Sequence, residues 1–115
     1  MEKLMAAFKA LADPVRLRLF VLLIGGERCV CDLVKATVLP QSTVSRHLCH
    51  LKAAGLVVDR RQGTWAFYRL HDSDDALIRD LVALVSSRPG DFPQALGDSA
   101  RLESFLGSGG RDCGK

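Results

Sequence analysis

The chain has 115 residues, of which 48% are hydrophobic, and a formal net charge of +3. This length predicts one small domain, and its longest apolar run, Leu19 to Ile24, has six residues, far fewer than the roughly 20 of a membrane-spanning helix. Residues 1–70 carry eleven Lys and Arg against five Asp and Glu, whereas residues 71–115 carry five against eight. The first part is therefore where a polyanion would bind, although a solvated basic face explains the charge equally well.

The N-terminal part predicts two helices. EKLMAAFKALAD carries apolar residues at helical spacing, which indicates an amphipathic first helix. Asp13 and Pro14 follow, and they suit the N-cap and the first position of a second helix. The segment PVRLRLFVLLIG is apolar on most sides, so we expect this helix in the centre of the core and its end at Gly25 and Gly26.

Two shorter helices are predicted next, separated by a turn. The third covers about Val30 to Thr37. The fourth lies in LPQSTVSRHLCHLKAAGL, with Pro40 at its first position and Gly55 at its end. Its apolar stripe consists of Val44, Leu48 and Leu51. Two such helices around a tight turn, with polar residues opening the second, are typical of a helix-turn-helix.

The last part predicts a hairpin, a helix and a tail. LVVDRRQGTWAFYRL indicates a β-hairpin with Gln62 and Gly63 in the turn. HDSDDALIRDLVALVSS indicates a final helix opened by acidic residues. From Arg88 onward Pro, Gly and Ser predominate, although DSARLESFL (98–106) can form a short helix. We predict a domain of residues 1–87 and a flexible tail of residues 88–115.

This order of elements describes a mainly α winged helix-turn-helix with a β-hairpin. The segments ADPVRLRLFVLL, ERCVCDLV, STVSRHLCHLKAAGLV and DRRQGTWAFYRL, in that order, resemble the ArsR–SmtB family of metal-responsive bacterial repressors, over about residues 2–86. The resemblance implies a DNA-binding repressor and not an enzyme. The apolar first and last helices are the natural surface of a two-fold homodimer, which predicts a palindromic operator on double-stranded DNA. The N-terminus lacks the pattern of a signal peptide and there is no membrane segment, so we expect a cytoplasmic protein.

The candidate DNA-contacting residues follow from helix geometry. Steps of about 100° per residue from a core-facing Val44 place Ser42, Thr43 and Arg46 on the side away from the core. The candidates on this helix are Gln41, Ser42, Thr43, Ser45, Arg46 and His47, and those at the hairpin tip are Arg60, Arg61, Gln62 and Thr64. His47 points only about 60° from the core direction, so a packed structural histidine is an equally good interpretation.

Cys29 and Cys31 lie one residue apart, a spacing that fits neither a redox nor a zinc motif well. In the cytoplasm both are expected to be thiols. On a regular helix residues i and i+2 point about 200° apart, so the two sulfurs could hold one ion only if the helix start unwinds. Unwinding would disturb the docking of the next helix on DNA. A thiol-rich site without histidine favours a soft ion.

CVCDL is similar to the arsenic-responsive members of the family. The similarity implies arsenite or antimonite, that is trivalent arsenic or antimony, as the inducer at Cys29 and Cys31, with no organic cofactor. These relatives often have a third cysteine where this chain has Val34. Three options stay open: Cys113 from the same or the other subunit, an external thiol or water, or two cysteines alone. Cys49 is expected to be a partly packed filler.

Three alternative functions can be named for this chain. A cadmium- or lead-responsive repressor of the same fold is one alternative. A thiol-redox switch is another, although a disulfide between residues i and i+2 is strained. A small thiol enzyme is the third, and the chain has no Cys-x-x-Cys, phosphate-binding glycine loop or His-Glu-x-x-His motif.

Overall fold

The computed structural model describes residues 1–71 and 75–107. The elements in chain order are α1 (Glu2–Leu11), α2 (Pro14–Ile24), β1 (Arg28–Cys29), α3 (Val30–Thr37), α4 (Gln41–Ala53), β2 (Val57–Gln62), β3 (Trp65–Leu70), α5 (Ala76–Ser86), a short 3₁₀ turn (Pro89–Asp91) and α6 (Pro93–Gly107). In the described ranges no helix has the length and apolar character needed to cross a membrane. The predicted winged helix-turn-helix is confirmed, with one added strand and a C-terminal helix that is longer than predicted.

Helix α2 begins as predicted and forms the centre of the core. The Asp13 carboxylate accepts hydrogen bonds from the backbone N–H of Val15 (2.8 Å) and Arg16 (3.1 Å), and Pro14 is the first helical residue. These two bonds satisfy donors that the first turn would otherwise leave unpaired. The fully buried side chains around α2 belong to Leu19, Phe20, Leu33, Val44, Leu48 and Leu51, from helices α2, α3 and α4.

The turn between α3 and α4 includes a residue in an unusual conformation. Val38 has φ 57° and ψ 37°, the left-handed region, and its backbone N–H donates to the Val34 carbonyl. Pro40 precedes α4 as its N-cap instead of occupying the first helical position, and its carbonyl accepts the Val44 N–H at 3.1 Å. The helix therefore begins one residue later than predicted.

Val38 gives a stability prediction, because a β-branched residue fits the left-handed region poorly whereas asparagine tolerates it. The side chain is also 71% exposed, so its replacement removes little packing. We expect Val38→Asn to raise the free energy of unfolding by about 1 kcal/mol, measured by urea denaturation at fixed protein concentration. Val38→Ala is the control, because alanine keeps a Cβ but lacks the tolerance of asparagine for the left-handed region. Equal stability of the two variants would contradict the assignment of strain.

The wing is a three-stranded antiparallel sheet in the order β1-β3-β2. Strands β2 and β3 form the predicted hairpin, but its two-residue loop is Gly63–Thr64, one residue later than expected, with Gly63 at φ 63°. Strand β1 was not predicted. Its two residues pair with β3, Arg28 opposite Tyr68 and Cys29 opposite Phe67, which brings the cysteine segment into the wing.

The C-terminal region differs most from the prediction. The prediction of a flexible tail from residue 88 is wrong for residues 88–107. Helix α6 packs on α2 and α3 and buries Ala95, Asp98 and Leu102. The Asp98 oxygens accept hydrogen bonds from Arg18 Nε (2.7 Å), Arg18 Nη2 (2.9 Å) and Arg101 Nη2 (2.8 Å). The predicted short helix over 98–106 lies inside α6. Residues 108–115 lie outside the described residues.

Candidate nucleic-acid interface and thiol pair

Helix α4 presents the predicted polar face. Gln41, Ser42 and Arg46 are exposed, and Thr43 and Ser45 are half-buried. The opposite stripe of Val44, Leu48 and Leu51 has no exposed surface. Small polar side chains and one arginine on the exposed N-terminal part of a helix-turn-helix recognition helix can contact base edges and phosphates in a major groove.

His47 lies against the start of α2 and not on that exposed face. Its Nδ1 is 3.3 Å from Arg16 Nη1 and 3.9 Å from an Asp13 oxygen, and its side chain is 12% exposed. Because arginine can only donate, Nδ1 accepts and the neutral ring carries its proton on Nε2. Burial lowers the pKa of His47, with Asp13 opposing and Arg16 adding to the effect. Of the two interpretations of His47, the structure favours the packed histidine.

The hairpin tip exposes all four predicted wing residues, Arg60, Arg61, Gln62 and Thr64. Arg60 is engaged elsewhere, which the prediction missed. Its Nε and Nη2 donate to the Glu27 carboxylate at 2.9 and 2.7 Å, and its Nη1 donates to Gln62 Oε1 at 3.1 Å. Its guanidinium lies 4.6 Å from the centre of the Phe67 ring.

The two cysteines are brought together without any unwinding. Cys29 has an extended backbone (φ −71°, ψ 145°) as the last residue of β1 and the N-cap of α3, and Cys31 is the second helical residue. Their Sγ atoms lie 3.1 Å apart. The predicted opposition of about 200° applies only where both residues are helical. The inferred need to unwind the helix is therefore wrong, because α3 begins after Cys29.

A small aromatic cluster surrounds the first thiol. Cys29 is 2% exposed and packs with the buried Phe67, while Cys31 and Trp65 are partly buried beside them. The rings of Trp65 and Phe67 are 6.0 Å apart and tilted. These contacts fix the position of Cys29 on the wing sheet.

One cavity joins the two cysteines to residues of α4 and of the wing. It has a volume of about 310 Å³, and its lining includes Cys29, Cys31, Gln41, Ser45, Cys49 and Arg61. Cys49 is an exposed thiol on α4 and not the packed filler that was expected. A group bound at the thiols would therefore be adjacent to both α4 and the wing.

The described residues contain no third ligand. Among residues 1–71 and 75–107 no three His, Cys, Asp or Glu side chains are grouped closely enough to hold a metal ion. Val34 packs against the core at the position where a third cysteine would stand. Cys113, the remaining candidate, lies outside the described residues. Two neighbouring sulfurs still fit a soft ion, because sulfurs bonded to one ion at about 2.3 Å each lie within about 4.6 Å of one another.

An apolar surface lies on the predicted dimer helices. Its exposed side chains are Met1, Leu4, Met5 and Phe8 at α1 and Leu84 on α5. Lys3 Nζ is 2.6 Å from an oxygen of Asp75, the N-cap of α5, so the two helices are joined at their starts. Asp75 is the last of the acidic residues predicted to open this helix, and residues 72–74 lie outside the described residues.

Sequence comparison supports the fold and the family. Residues 13–58 match the family described as bacterial regulatory protein, arsR family. The chain is 45% identical over 80 residues to the arsenic resistance transcriptional regulator ArsR1 of Pseudomonas putida, covering 65% of this chain and 62% of that protein. It is 36% identical to ArsR2 of the same organism, over 91% of this chain and 90% of the relative.

Structural comparison agrees. The homodimeric winged helix-turn-helix DNA-binding domain of a possible ArsR-family transcriptional regulator from Mycobacterium bovis has a TM-score of 0.66 and 37% sequence identity. The match covers 77% of this chain and 80% of that domain. These relatives are DNA-binding transcription regulators and not enzymes.

Proposed function

The chain belongs to the ArsR family of bacterial regulatory proteins, and on that premise we propose that it is a repressor whose inducer is trivalent arsenic or antimony. Binding of the inducer to Cys29 and Cys31 releases the protein from its operator. The observation that carries the proposal is the pair of sulfurs 3.1 Å apart in a cavity that also includes Gln41 and Arg61. The names of the relatives as arsenic resistance regulators favour arsenic over cadmium, lead or an oxidant as the signal.

DNA binding is supported by charge and exposure together. The basic residues 1–70 contain both the recognition helix and the wing. Phosphate contacts give most of the affinity, and base contacts give the specificity. In this proposal Gln41, Ser42, Thr43 and Ser45 contact bases or phosphates from α4, and Arg61, Gln62 and Thr64 contact DNA from the wing.

A homodimer is the form that we propose to bind DNA. The apolar surface of α1 and α5 supplies a face that a second copy can cover, as the homodimeric Mycobacterium bovis domain illustrates. Two-fold symmetry then requires a palindromic operator, with half-sites about 34–36 Å apart along one turn of DNA.

Cys113 of the same chain is our first candidate for a third ligand. It follows the end of α6 by six residues, which span at most about 20 Å when extended. Helix α6 packs on α3, and the eight residues of α3 are about 12 Å long. The six residues are therefore long enough to span the length of α3. An external thiol, or the two cysteines alone, are the other outcomes.

The test is release from an operator recovered by selection from random duplexes. The reduced protein is bound to this duplex, and arsenite, antimonite, cadmium and peroxide are added separately. Release by arsenite or antimonite at lower concentration than by cadmium supports the proposal. Release by cadmium or peroxide alone would show a different sensor on the same fold. Failure to select any duplex would contradict DNA binding.

Arg46 tests the assigned reading face. We expect Arg46→Ala to weaken operator binding by about 1–3 kcal/mol, since an arginine in the groove contacts guanine or phosphate. Fluorescence anisotropy at fixed salt measures the change. Arg88→Ala is the matched control, because it removes the same charge from an exposed ion pair with Asp91 after α5. Equal losses in both variants would mean that Arg46 contributes only general charge.

A further inference from the structure

We propose that Arg60 is a positioning residue that connects the thiol strand β1 to strand β2 of the wing. Through this connection, a displacement of β1 caused by ion binding at the thiols changes the position of the hairpin tip on DNA. The inference rests on the proposed function. Its starting point is a row of residues across the strand order β1-β3-β2, in which Cys29 and Arg60 both lie opposite Phe67.

The side chains of this row touch one another. Directly opposite residues of antiparallel strands present their side chains on the same face, a few ångströms apart. Cys29 packs against Phe67 from β1, and the Arg60 guanidinium lies 4.6 Å from the centre of the same ring from β2. A displacement of the Cys29 sulfur therefore acts on the ring that supports Arg60.

Glu27 binds Arg60 at the outer side of this row of residues. It stands two residues before Cys29, and its two oxygens accept hydrogen bonds from Arg60 Nη2 and Nε at 2.7 and 2.9 Å. The hydrogen bond from Arg60 lowers the pKa of Glu27, so the pair is charged at neutral pH. An exposed ion pair adds little stability by itself, but this two-bond geometry fixes the distance between β2 and the segment that enters β1.

Three of the five N–H donors of Arg60 are engaged by protein acceptors. Nε and Nη2 bind Glu27, and Nη1 donates to Gln62 Oε1 at 3.1 Å. These bonds leave only the second N–H of Nη1 and of Nη2 for a phosphate contact. The adjacent Arg61 is exposed, lines the cavity shared with the thiols and is the better candidate for a DNA contact.

Strand β2 is also connected to the recognition helix. Asp59, next to Arg60, is 2.9 Å from Lys52 Nζ on α4. The wing therefore forms an ion pair with the thiol segment through Arg60 and with α4 through Asp59. When the thiols change position to hold an ion, β1 moves with β3 and the hairpin tip changes its position relative to α4. A ligand can release DNA in this way only if it binds the displaced arrangement better.

The experiment compares Arg60→Gln and Glu27→Gln with Arg61→Gln. Operator affinity is measured at several salt concentrations, with and without arsenite. We expect Arg60→Gln and Glu27→Gln to keep the wild-type salt slope and to reduce the arsenite-induced loss of affinity by about fivefold, within the usual range of coupling between sites. Arg61→Gln is expected to reduce the salt slope by about one and to keep the arsenite effect.

Exchanging the charges of Glu27 and Arg60 tests whether the ion pair, and not either residue alone, carries the effect. The double variant Glu27→Arg with Arg60→Glu should recover most of the arsenite effect. A salt slope reduced by about one in Arg60→Gln would make Arg60 a phosphate contact and overturn the inference. A wild-type protein that binds the operator but does not respond to arsenite would contradict the proposed function. In that case the salt slope measured without arsenite still shows whether Arg60 contacts phosphate.

Discussion

Replacement of Asp98 by alanine is expected to lower the free energy of unfolding by about 3 kcal/mol. The carboxylate has no exposed surface and accepts hydrogen bonds from Arg18 and Arg101. Without it the Arg18 guanidinium, whose side chain is 15% exposed, keeps its charge in a mostly buried place with no anion beside it. Removal of one partner of a buried ion pair is costly for this reason.

The loss of stability in Asp98→Ala should extend beyond α6. Arg18 Nη2 and Arg101 Nε also donate to the carbonyls of Thr37 and Ala36, at 2.9 and 2.7 Å. These carbonyls belong to the last turn of α3, where a helix lacks internal partners. Asp98 holds both arginines in place, so Asp98→Ala should loosen the end of α3 and the turn that leads to α4.

Urea denaturation followed by circular dichroism, at one protein concentration, measures this effect. Asp91→Ala is the matched control. Asp91 forms an ion pair of 2.6 Å with Arg88, but both side chains are more than half exposed, so a change below about 0.5 kcal/mol is expected. Similar small losses in the two variants would show that the buried network does not stabilise the fold.

Replacement of Cys31 by serine is expected to raise the arsenite concentration needed for half-release of DNA by about 100-fold. Structural zinc sites with four ligands bind with about 10–16 kcal/mol, so one ligand contributes about 3 kcal/mol there, and we expect a similar loss for one thiol here. Binding to the operator without arsenite should stay near the wild-type value, since Cys31 is partly buried and belongs to neither of the surfaces that we propose to contact DNA.

Cys29→Ser should have the same effect on arsenite response. Because Cys29 is 2% exposed against Phe67, a folding check by circular dichroism accompanies this variant. Cys49→Ser is the control, a thiol of the same cavity but exposed on α4. A wild-type response in Cys31→Ser would exclude the thiol pair as the inducer site. Cys113→Ser decides the third ligand, since an unchanged response would show that two protein thiols suffice.

Much of the helical framework could be predicted from the sequence, because it depends on residues close along the chain. The N-cap at Asp13 and the buried stripe of α4 follow from side-chain type and a spacing of 3.6 residues per turn. The exposed polar side of α4, which we propose to contact DNA, follows from the same spacing. These predictions needed no knowledge of how distant segments pack.

The features that were missed depend on distant contacts. Strand β1 has two residues, too few to show an alternating pattern, and it exists because β3 lies beside it. Helix α6 begins in a Pro- and Gly-containing segment and is held by the Arg18–Asp98 pair, 80 positions apart in the chain. Arg60 was assigned to DNA because exposed arginines near a turn are common in wings, and its partner Glu27 is 33 positions away.

The short length of β1 has an energetic consequence for a sensor. Two paired residues contribute few backbone hydrogen bonds, and such segments open locally at far lower free energy than a buried helix such as α2. A ligand that shifts β1 therefore works against a small local cost and leaves the globally stable core intact. Amide hydrogen exchange would register this as early exchange in residues 28–29, long before exchange of α2, and inducer binding at Cys29 would alter that local rate first.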